Sequence, residues 1–72
     1  MIKIKDKVAR EMIQVIDGLS SKYNVDLRKY LTLEYLQAVK DGLLTAHNKS
    51  EYNLKMQMFE SQLMHLIEEV TR

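Results

Sequence analysis

Tyr52, Met56, Phe59, Leu63, Leu66 and Val70 recur at steps of four, three, four, three and four. That is the seam of an α-helix written to pack against another helix, and it sets the architecture of the last third of the chain. Three heptads alone make a marginal coiled coil, so this helix is expected to lean on other helices. Ser50 is read as its N-cap, with Glu51 in the first turn near the positive end of the dipole. Tyr52, Leu54, Met56 and Met58 also alternate with polar residues, which is the period of a strand. Helix is the preferred reading: Met, Leu, Lys and Gln dominate there, and past Phe59 only helical spacing continues.

The rest of the chain reads as helix too. A first helix is expected over about 6–23, capped by Asp6, with the seam Val8, Met12, Val15 and Leu19 widened by Ile16 and Tyr23. Gly18 interrupts it, marking either local weakness or a close neighbouring backbone. Asn24 suits a left-handed C-cap, with Val25 as the apolar residue folding back. A second helix is expected over 27–46, capped by Asp26; Thr32 is an alternative cap that would leave Leu27–Leu31 as a separate turn. Leu33, Tyr35, Leu36, Ala38, Val39, Leu43, Leu44 and Ala46 cover more than half its circumference. A helix apolar that far round is expected to be central and buried on more than one side. His47-Asn48-Lys49-Ser50 is the polar break before a third helix over 51–71.

With 72 residues the chain makes one domain at most. A chain of this size buries only roughly 60% of its unfolded surface, and small domains compensate with disulfides, metals or self-association. Cysteine is absent, which removes disulfides, thiolate ligands and thiol nucleophiles together. The expected fold is therefore all-α, a small bundle or hairpin of two to three helices completed by homodimerisation. The first ten residues are net basic and the last thirteen net acidic. That polarity favours placing the first and last helices together, antiparallel.

No set of residues asks for catalysis. His47 and His65 lie in different elements, and His65 with Glu68 one turn on reads as an exposed histidine near a carboxylate. Gly18 and Gly42 are isolated, so no phosphate-binding loop exists. No enzyme activity, cofactor or metal is expected. The apolar runs are too short to span a bilayer, and Met1–Lys7 lacks the apolar core of a signal peptide, so a cytoplasmic location is the expectation.

The surplus is packing surface. Tyr52, Met56, Phe59 and Leu63 are the expected anchor cluster of a protein interface, with Leu66 on the same seam. Leu54, Met58 and Met64 stand off the seam as an outward face, and methionine adapts to varied partners. The expected function is a small non-catalytic interaction module: a regulator, inhibitor or assembly factor that binds a larger protein.

The alternative is DNA binding. Ile2-Lys3-Ile4-Lys5 alternates like a short strand, placing Lys3, Lys5 and Lys7 on one face, with Arg10 beyond. Followed by two helices, this layout resembles that of the ribbon-helix-helix repressors, whose paired strands enter the major groove. The resemblance covers the first 46 residues and rests on order and alternation alone. It implies nucleic-acid contacts at Lys3, Lys5, Lys7 and Arg10. Asp26 departs from it, placing a negative charge where such proteins aim a helix start at phosphate.

Overall fold

The computed structural model describes residues 4–72, and among these the chain is helical with no strand. Helix α1 spans Ile4–Tyr23, a single 3₁₀ turn covers Leu27–Tyr30, α2 spans Leu33–Leu44 and α3 spans Lys49–Val70. Each helix packs against the other two. Among the described residues no helix is long and apolar enough to cross a membrane.

Local chemistry sets most of the boundaries. Asn24 adopts φ 55°, and the Val25 N–H donates to Ser20 O at 3.0 Å, the six-to-one bond that closes a left-handed C-cap. Thr32 rather than Asp26 starts α2: its hydroxyl accepts the Tyr35 N–H at 3.1 Å, whereas Asp26 makes no side-chain cap bond. The expected 27–46 helix is thus divided, and Leu27–Tyr30 is a turn of its own. In α3 the cap is Asn48, not Ser50. Its side chain accepts the Glu51 N–H at 2.8 Å, while the Glu51 carboxylate accepts the His47 N–H at 2.9 Å. Asparagine and serine cap equally well, so the acid three residues on decides between them. The His47 N–H, with Lys55 beside it, holds the Glu51 carboxyl below the ordinary carboxylate range. At the other end, α1 already includes Ile4, so Asp6 lies in its first turn and does not cap it.

The core is closed by one copy of the chain. Val8, Met12, Ile16 and Leu19 of α1, Leu27 of the turn, Leu43 of α2, and Phe59, Leu63 and Ile67 of α3 form a single buried cluster. Phe59 lies 6.2 Å from the Tyr35 ring, tilted by 38°, within the range of favourable aromatic pairs. Sequence spacing puts Val15 and Leu66 on the seams. The molecule instead buries Ile16 and Ile67 in the core and leaves Val15 and Leu66 half-covered.

Two expectations about packing fail. The starts of α1 and α3 lie together: Tyr52 hydrogen-bonds Glu11, and Lys7 and Val8 share a cleft with Lys49 and Tyr52. The start of α2 lies instead beside the end of α3, where Leu31 and Tyr35 meet Leu63 and Leu66. First and last helices therefore run the same way with α2 running back, and the charge difference between the termini does not make them antiparallel. Nor is α2 enclosed on two sides. Leu43 is its only deeply buried residue, and Leu33 is 85% exposed. Three mutually touching helices leave none in the middle, so part of α2's apolar circumference faces outward.

Gly18 has no heavy atom within 4 Å of the place a Cβ would occupy, so no close backbone explains it. Gly18→Ala is expected to stabilise the protein by up to about 1 kcal/mol. In a domain of this size that raises Tm by roughly 4–8 °C, measurable by thermal circular dichroism.

Candidate protein-interaction surfaces

The eight residues of the expected interface separate into three groups. Phe59 and Leu63 are 2% and 1% exposed and belong to the core, so a folded copy cannot offer them to a partner. Their side of the seam packs against α1 and α2 of the same chain. Tyr52, Met56, Met64 and Leu66 are half-buried and pack against that core. Leu54 and Met58 alone remain largely uncovered, at 58% and 59% exposure.

Leu54 and Met58 sit one turn apart on the outer side of α3. The stripe continues through Ser61 to His65, and Gln57 and Gln62 flank it. Glu51 and Lys55 border the stripe on one side and are paired with each other. Exposed apolar side chains one turn apart, bordered by a charge pair that neutralises itself, make a surface suited to contact.

A second apolar surface lies between α1 and α2. Ala9, Ile13 and Ile16 of α1 face Leu33, Leu36 and Lys40 of α2 across an open groove. Ile13 is 46% exposed, and the fully projecting Leu33 forms the groove's rim. This surface was missed in the sequence. Ile13 and Leu33 lie twenty residues apart in different helices, and Ile13 stands off the α1 seam.

The residues of the DNA-binding alternative are placed as follows. Lys7 and Arg10 are exposed on α1. Lys3 and Ile2 lie outside the described residues. Ile4 and Lys5 are helical, which removes the second half of the expected strand and with it the ribbon layout. Residues 52–58 are helical as well, so the strand reading there is also excluded.

Tyr52 and Glu11 form the one polar link between α1 and α3 among the described residues, the phenol donating to the carboxylate. Burial, and then the hydrogen bond and charge of Glu11, push the Tyr52 hydroxyl up to about 12. Its folded pKa thus lies above the unfolded value near 10. The stability this linkage contributes is complete below pH 10 and is lost as pH rises from 10 through 12. Denaturant titrations across that window should show a smaller alkaline loss for Tyr52→Phe than for the parent. Equal losses would mean that Tyr52 ionises as freely in the folded state as in the unfolded one.

His65 and Glu68 are both exposed, and among the described residues no three His, Asp or Glu side chains converge on a point that could hold a metal. No family model, curated protein or solved structure matches this chain.

Proposed function

We propose that this chain is a non-catalytic interaction module, a regulator, inhibitor or assembly factor that acts by binding a larger protein, and that it self-associates as a homodimer. One observation carries the reading: a core already closed within one copy leaves Leu33, Leu54, Met58 and Ile13 outside it. Tyr23 and Tyr30 are exposed as well, but these four gather on two surfaces, Leu54 and Met58 on α3 and Ile13 and Leu33 at the α1–α2 groove.

The homodimer is assigned to the α3 stripe. Two copies paired antiparallel about a two-fold axis set Leu54 of each against Met58 of the other, a self-complementary contact bordered by the Lys55–Glu51 pair of each copy. One 22-residue helix is about 33 Å long and offers less than the roughly 800 Å² per partner of a stable interface. The dimer is therefore weak and concentration-dependent.

The test is comparative capture from the native cell. Tagged parent chain, Leu54→Asp/Met58→Asp and Leu33→Asp are used in parallel, each shown by circular dichroism to be folded. A partner recovered by the parent and reduced by one of the variants supports the reading. Equal recovery by all three contradicts it.

A further inference from the structure

The groove between α1 and α2 has a chemical polarity that says what fits it. Its floor and walls are apolar: Ala9, Ile13, Ile16, Leu33 and Leu36. Leu33 and Lys40 are seven residues apart, so they lie on one face of α2 with about 10 Å of helix between them. That length matches two turns of an incoming helix with apolar side chains at i, i+4 and i+7.

Lys40 stands in the wall beside Ala9, half-buried, with the exposed guanidinium-bearing Arg10 in the next position of α1. The ion pairs among the described residues are Arg28–Asp17 and Lys55–Glu51, so no carboxylate there neutralises Lys40. Asp17, which follows Ile16, is already engaged by both Nε and Nη2 of Arg28 at 3.1 and 2.8 Å. The groove thus presents apolar surface with two cationic side chains, Lys40 and Arg10, at one end.

From this charge pattern we infer that the α1–α2 groove receives an acidic amphipathic helix of the partner protein. The partner's apolar side chains cover Ile13, Leu33 and Leu36, and a carboxylate meets Lys40. The inference rests on the interaction-module reading and deepens it. A second copy docking through its Leu54–Met58 stripe is the poorer occupant: Glu51, one turn before Leu54, is held by the His47 N–H and Lys55. Self-association and target binding therefore use different faces, α3 for the first and the α1–α2 groove for the second.

The probe is a fluorescein-labelled synthetic helix with leucines at i, i+4 and i+7 flanked by glutamates, beside a twin in which lysines replace the glutamates. Fluorescence polarisation is measured against parent, Leu33→Ser, Lys40→Glu and Leu54→Ser/Met58→Ser. All of these changes lie at surface positions and leave the core intact. The expected result is binding of the acidic probe by the parent, weakened about tenfold or more by Leu33→Ser and by Lys40→Glu, and unchanged in the α3 variant. The lysine twin should bind Lys40→Glu better than the parent. No binding of the acidic probe, equal binding of both probes, or a loss confined to the α3 variant would overturn the groove assignment. If native capture still depends on Leu54 and Met58 in that case, the interaction reading survives while the groove inference falls.

Discussion

Met58→Asp and Phe59→Asp, adjacent in sequence, are expected to give opposite outcomes. Phe59 is 2% exposed and fills the space between α3 and the Tyr35 ring. Truncating such a side chain to alanine costs about 3–5 kcal/mol, and placing a carboxylate there adds the cost of desolvating an unpaired charge. A domain of this size has a total stability on the order of 4–11 kcal/mol. Phe59→Asp should therefore be unfolded at 25 °C, and Phe59→Ala should keep only a fraction of the parent's stability. Met58 is 59% exposed, and substitutions at such positions stay within about 0.5 kcal/mol. Met58→Asp should retain the parent's helical signal and lose self-association. Circular dichroism of the two variants settles the point: a folded Phe59→Asp, or an unfolded Met58→Asp, would mean that the stripe has been assigned to the wrong side of α3.

The second large effect is expected at Leu27. This leucine is 0% exposed, carried not by a helix but by the 3₁₀ turn between α1 and α2. Its N–H is bound locally, to Ser20 Oγ at 3.3 Å and Val25 O at 3.1 Å, so the turn holds it firmly against the core. Leu27→Ala should cost about 2–5 kcal/mol, because a turn fixed at both ends cannot collapse into the space left behind. The adjacent Arg28 provides the control. Its paired bonds to Asp17 are well formed but lie on the surface, where an ion pair contributes about 1 kcal/mol or less. Urea titrations should show a large fall in midpoint for Leu27→Ala and a small one for Arg28→Ala, with similar slopes for both. Comparable midpoints would show that the connection is not part of the core.

These contrasts also mark what could be read from residues alone. Periodicity identified Val8, Met12, Ile16, Leu19, Phe59 and Leu63 as inward-facing, because burial of one helix face imposes its spacing on any partner. It could not say what they face. The seam of α3 reads the same whether it meets a second copy or α1 and α2 of its own chain, and the molecule uses its own helices. Asn24 was legible because a left-handed residue is a local requirement. Ser50 reads as the cap of α3, but Asn48 takes that place, accepting the Glu51 N–H while the Glu51 carboxylate accepts the His47 N–H.

Helix α2 was misjudged for a different reason. Its wide apolar surface implied enclosure, but a three-helix bundle contacts only part of each helix, and Leu33 projects past the contact. The groove beside it was invisible for the same reason, since it exists only once α1 and α2 are side by side. Even Leu54 and Met58 could be separated from Met64 only by the rotation of α3 in the packed bundle.

Light scattering coupled to circular dichroism, run on the parent chain from 5 to 500 µM, bears on all of this at once. The expected result is a fully helical single chain at the dilute end and growing dimer at the concentrated end, the latter abolished by Leu54→Asp/Met58→Asp. Loss of helix on dilution would mean that no solitary copy is self-sufficient. A strictly monomeric species throughout would mean that the side chains left outside are inert towards a second copy.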